Sequence, residues 1–86
     1  MTKISDGREV DLELFKFDAC AFCRRVFQKI EEKGVEGIRL RDTRAEPGAA
    51  EELVARAGKQ QVPCLFIDGE PMYESQDIMD WLEANA

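Results

Sequence analysis

Residues 10–33, VDLELFKFDACAFCRRVFQKIEEK, change period at one point. Up to Phe17 the apolar residues alternate and then fill in (Val10, Leu12, Leu14, Phe15, Phe17), as in a strand buried on both faces. From Phe22 they recur at helical spacing (Phe22, Val26, Phe27, Ile30), with Arg24, Arg25, Lys29 and Glu32 on the other face. Cys20 and Cys23 stand at the junction, a CxxC pair at the first turn of the expected helix. A thiol there faces unpaired backbone N–H groups and the positive end of the helix dipole, both of which stabilise a thiolate. The spacing lets the second thiol reach the first. Dithiol redox chemistry fits this context better than half of a zinc site or two small buried hydrophobes.

Further along the chain, Gly34 closes the helix, and Gly37 to Asp42 reads as a short strand with Ile38 and Leu40 on one face. Thr43 to Gly48 is turn-rich, and Ala49 to Ala57 reads as a helix carrying Leu53 and Val54, ended by Gly58. Val62 to Asp68 is an apolar run that meets Asp68-Gly69, a hairpin signal, with Pro71 to Tyr73 returning as an edge strand. Ser75 to Asn85 reads as a helix with Ile78, Met79, Trp81 and Leu82 inward and Ser75 as its N-cap. The polar stretch Met1 to Glu9 reads as a frayed lead-in. Strand, helix, strand, helix, strand, strand, helix implies an α/β domain whose parallel first pair is closed by a hairpin.

With 86 residues, a single domain over 1–86 is expected. A net charge of −6 argues against nucleic acid as a partner. Arg24 and Arg25, like Arg39, Arg41 and Arg44, read as solvated faces, with a basic rim near the thiols as the alternative. No leader pattern and no membrane-spanning apolar run is present, so a cytoplasmic protein is expected. Three cysteines, an odd number, fit a catalytic or metal-binding CxxC better than a secreted disulfide framework. The absence of histidine removes Ser/His and Cys/His dyads and imidazole metal sites. Cys64 reads as a buried core residue, and a structural zinc is not expected from three thiolates alone.

The CxxC after the first strand, Val62-Pro63 before the third, the Asp68-Gly69 hairpin and Tyr73-Glu74-Ser75 at the last helix together resemble glutaredoxin. The C-terminal half is similar to the N-terminal domain of glutathione transferases. The resemblance implies a thioredoxin-like fold, a four-stranded mixed sheet flanked by three helices, with Pro63 as a cis-proline facing the site. It implies that Val62 pairs its backbone with the cysteinyl part of glutathione and that Glu74 and Ser75 form the γ-glutamyl site. It also implies a redox-active Cys20–Cys23 pair, with Cys20 as nucleophile. Partners would be glutathione, as co-substrate, and disulfide-containing or glutathionylated proteins, acted on by a monomer.

Ala21 and Phe22 stand where glutaredoxins usually have proline and tyrosine, and Phe17 replaces the lysine common three residues before the first cysteine. Recognition of the glycyl carboxylate then falls to Lys59, Gln60 or Gln61. Two other readings are a [2Fe-2S] carrier, built by two protomers from the first cysteine and glutathione, and a thioredoxin-like protein disulfide reductase. A conjugating transferase is not expected, since those enzymes bring a second helical domain.

Overall fold

The computed structural model describes residues 1–86. Its elements are β1 (Thr2–Lys3), β2 (Glu9–Val10), β3 (Leu12–Lys16), α1 (Ala21–Lys33), β4 (Arg39–Asp42), α2 (Ala49–Ala57), β5 (Cys64–Ile67), β6 (Glu70–Met72) and α3 (Ser75–Asn85). Strands β4-β3-β5-β6 form one mixed sheet: β3 and β4 run parallel, while β5 is antiparallel to both β3 and β6. With three helices around it, this is the thioredoxin-like α/β fold. No helix is long and apolar enough to cross a membrane.

The period of two in β3 distributes its side chains between two cores. Leu12 and Leu14 join Val26, Leu65, Ile78 and Leu82 under α1 and α3. Phe15 points the other way, to Ala49, Leu53, Cys64 and Phe66 under α2, and meets the Phe66 ring edge-on at 5.5 Å. Cys64 is a core residue, as expected, with no exposed surface.

Helix α1 ends in a Schellman motif. Gly34 takes φ 63 and donates to Glu31, Val35 donates to Ile30 at 3.0 Å, and Ile30 and Val35 both pack against the first core. The Asp68-Gly69 turn has φ 50 and 87, the left-handed pair that a two-residue hairpin requires. It is clasped to the start of β3: Asp11 N–H donates to Asp68 Oδ1 at 2.7 Å, and Asp68 N–H donates to the Asp11 carbonyl at 2.8 Å.

Four local expectations are corrected. Residues 1–9 are not a frayed lead-in, because β1 and β2 pair as a hairpin whose Thr2, Ile4 and Val10 are buried. Its Thr2 hydroxyl donates to the Glu36 carbonyl, and Ser5 N–H donates to the Asn85 carbonyl, tying the hairpin to the end of α3. Leu40 is 55% exposed, because β4 is an edge strand and only one side of it is covered. Glu74, not Ser75, is the cap residue of α3, and it makes no side-chain cap bond. Arg41 is not a solvated charge, as its side chain is 20% exposed and turned onto Glu13, whereas Arg39 stays exposed as expected.

Glu13 is 2% exposed, on the α2 side of the sheet. Arg41 donates to it at 2.6 Å and Arg56 at 2.7 Å, with Arg39 at 3.5 Å. Arg41 also reaches Glu46 and Glu52, and Arg41 and Arg56 lie over the Phe15 ring. Burial would raise the Glu13 carboxyl, but hydrogen bonds from Arg56 and Arg41 outweigh it and hold the group below the usual carboxylate range.

Candidate functional site

The carboxyl end of β3 leads through Phe17, Asp18 and Ala19 to Cys20, which caps α1. Cys20 N–H donates to the Phe17 carbonyl at 3.2 Å, fixing the turn. The Cys23 N–H donates to Cys20 Sγ at 3.3 Å, as a side-chain cap does. A sulfur held this way sits among the free N–H groups of the helix start.

The two thiols differ in burial. Cys20 retains 9% of its surface and Cys23 retains none. Burial first, then the hydrogen bond and charge shared with Cys20, push the Cys23 thiol up to about 12. Burial likewise pushes Cys64 up to about 11. Of the three, Cys20 is the thiol with access to solvent.

Helical phase explains the difference. Phe22 belongs to the inward stripe of the sequence pattern, but it is 57% exposed, and Cys23 takes the inward position alongside Val26. Because Cys20 provides the cap, the inward stripe begins at Cys23, one residue later than the apolar pattern suggests.

The freed Phe22 forms one wall of a groove of about 220 Å³, whose other lining residues are Gln61, Val62, Pro63, Glu74 and Ser75. The Val62–Pro63 peptide bond is cis. Gln61 Nε2 donates to Glu74 Oε1 at 3.3 Å, joining the segment before β5 to the start of α3. Glu74 has φ 60 and ψ 113, a combination unusual for a side-chain-bearing residue and of the kind that clusters at functional sites. With no side-chain cap at Glu74, the first-turn N–H groups of α3 remain available at the groove edge, where a carboxylate would be favoured.

Five residues that the sequence pointed to, Gln61, Val62, Pro63, Glu74 and Ser75, are thus brought together. Lys59 is not among the lining residues; its ammonium lies over the Tyr73 ring at 4.2 Å. Tyr73 in turn donates from its hydroxyl to the Ala57 carbonyl at 2.7 Å, anchoring the chain before Glu74 to the end of α2. Phe22 is the groove residue that sequence reasoning missed. The sequence carries no signal against burying it, since Phe22 and Cys23, four and three residues before Val26, both suit the inward stripe.

No group of three or more His, Cys, Asp or Glu side chains converges as metal ligands.

The family model of the glutathione S-transferase N-terminal domain matches residues 14–86. No curated protein sequence matches the chain. Among solved structures, a Tau class glutathione S-transferase from mango, Mangifera indica, superposes with a TM-score of 0.69 at 18% identity, over 86% of this chain and 33% of that one. Glutaredoxin C1 from Populus tremula x tremuloides, in its holo form, gives 0.67 at 18% identity, over 85% and 74%. Glutaredoxin from Brucella melitensis gives 0.62 at 26% identity, over 86% and 78%. The chain therefore spans about a third of the transferase it matches and about three-quarters of the glutaredoxins.

Proposed function

Because the chain belongs to the family of glutathione S-transferase N-terminal domains, on a fold shared with glutaredoxins, we propose that it binds glutathione and catalyses glutathione-dependent thiol–disulfide exchange at Cys20. The observation that carries this reading is the groove. Residues expected to hold glutathione line it together with Phe22, within the first turn of the helix that Cys20 caps. In this reading Val62 offers its backbone to the cysteinyl unit. Glu74 and Ser75 take the γ-glutamyl end, where the free N–H groups of α3 suit its carboxylate and Glu74 suits its ammonium. The glycyl carboxylate is left to Gln61 and Lys59.

The reaction has two steps. The Cys20 thiolate attacks the glutathionyl sulfur of a mixed disulfide, R–S–S–G. The Cys20–glutathione disulfide forms, the S–S bond of the substrate breaks, and the released R–S⁻ thiolate takes a proton from solvent. A second glutathione thiolate then attacks the bound glutathionyl sulfur, releasing oxidised glutathione and regenerating the Cys20 thiolate. Each turnover consumes one reduced glutathione and converts the mixed disulfide to a free thiol and oxidised glutathione. Cys23 is the alternative resolving group, but its thiol at about 12 and its complete burial make it a slow nucleophile at neutral pH. The two-glutathione route is therefore assigned the main flux.

The deciding assay is glutathione-dependent reduction of a small mixed disulfide, coupled to glutathione reductase. Cys20→Ser is expected to abolish turnover, while Cys23→Ser keeps most of it. Equal loss from both substitutions, or an inactive wild type, would overturn the scheme.

A further inference from the structure

We propose that a rim of unneutralised cations around Cys20 docks acidic protein segments that carry the target sulfur. The inference rests on the exchange reading for what happens at that sulfur, but the surface is testable by itself.

The basic residues with no carboxylate within ion-pair distance are Lys3, Arg24, Arg25, Arg44 and Lys59. All but Lys3 lie at the end of the molecule that carries the thiol. Arg24 N–H donates to the Cys20 carbonyl at 3.0 Å, and its Nε donates to the Asp18 carbonyl at 3.2 Å. Arg25 is exposed on the next position of α1. The Arg44 guanidinium lies over the Phe17 ring at 3.8 Å, and Phe17 is the residue whose carbonyl holds the Cys20 N–H. Lys59 lies over Tyr73 at 4.2 Å, next to Glu74 of the groove.

These contacts with rings and carbonyls order Arg24, Arg44 and Lys59 without cancelling their charge. The rest of the molecule behaves differently, since Arg39, Arg41 and Arg56 are all bound by carboxylates. Helix α1 also breaks the usual charge order. Its first turn holds no acidic residue, and two arginines follow directly, so the positive end of the helix is reinforced instead of offset. A local rule broken with no structural gain marks a functional surface.

The acids nearby do not neutralise the rim. Asp18 is held by Lys16 at 2.7 Å, and Glu74 and Asp77 sit at the start of α3. On a chain of net charge −6, general attraction to acidic partners is opposed, so the local rim selects the orientation in which carboxylates flank the reacting sulfur.

The test uses two glutathionylated peptides of one length, one with Asp and Glu on both sides of the cysteine, the other with Lys. Fluorescence anisotropy against the Cys20→Ser protein measures docking, and coupled turnover with the wild type measures its use. The acidic peptide is expected to bind about tenfold more tightly in low salt, with the gap closing to about threefold or less in 0.5 M NaCl. In Arg25→Gln/Arg44→Gln on the Cys20→Ser background, the ratio should fall to about one at any salt. Equal binding of the two peptides in low salt overturns the proposal, whatever the turnover. Acid-selective binding without turnover keeps the docking surface and removes the exchange reading instead.

Discussion

Cys20 and Cys23 belong to one motif and to two environments. One sulfur caps a helix at the surface, and the other is sealed in the core, where protonation is favoured up to about pH 12. Iodoacetamide at pH 7 should therefore label Cys20 alone in the native protein. Cys23 and Cys64 should react only after denaturation, as mass spectrometry of the modified peptides would read. Labelling of Cys23 in the native state would contradict the burial described here. Glu74 offers a second residue-level prediction because its backbone and its side chain pull in opposite directions. Glu74→Gly should release unfavourable φ, raising stability by about 1 kcal/mol in urea unfolding, while the KM for glutathione rises several-fold. Both thiols were legible in the sequence, because the change of period falls on them. The exposure of Phe22 was not, because a shift of one residue in helical phase is invisible when Phe22 and Cys23 are equally apolar.

At the level of elements, the least legible feature was Glu13. The apolar pattern reads the strand as buried on both faces, but nothing near Leu12 and Leu14 shows what would partner the carboxylate between them. In the fold its face of the sheet is covered by α2, and its partners lie 28 and 43 residues away, on β4 and α2. Pairing across such distances leaves no local trace, so Arg41 reads as surface charge. The four strands of the main sheet and the three helices were legible to within a residue or two, since each carries its own periodicity and stop signal, whereas the β1–β2 hairpin, two residues a side, carries none. Glu13→Ala should cost about 3–5 kcal/mol, because it leaves the Arg41 and Arg56 guanidinium groups beside an apolar core without their shared carboxylate. Chemical denaturation of wild type and variant checks this. A loss below 1 kcal/mol would mean that Glu46 and Glu52 alone can satisfy both arginines.

For the molecule as a whole, the same network sets the response to acid. Hydrogen bonds from Arg41, then Arg56, hold Glu52 at about 2, against an ordinary 4.5, and arginine contacts lower Glu13 and Glu46 as well. A carboxyl lowered in the folded state adds stability that is complete above its unfolded value and is lost as protons bind. The melting temperature should therefore hold down to about pH 4.5 and fall steadily toward pH 2. At the alkaline end the sign reverses. Cys64 and Cys23, raised to about 11 and 12 from 9.0, favour the folded state below pH 9 and lose that contribution as pH climbs through those values. Thermal scans across both ranges test the two limbs separately, with Glu52→Gln expected to flatten the acidic one.

The reciprocal clasp of Asp11 and Asp68 lies where β3 begins, and Cys20 lies beyond where β3 ends. The strand therefore separates the hairpin turn from the reactive sulfur by its whole length. Gly69 and Glu70 are exposed at that far pole, so a biotin or resin linkage placed there should hold the protein on a support with its sulfur turned toward the mobile phase. A column built this way would display every copy in the same orientation, with the Cys20 sulfur facing the solution that flows past it.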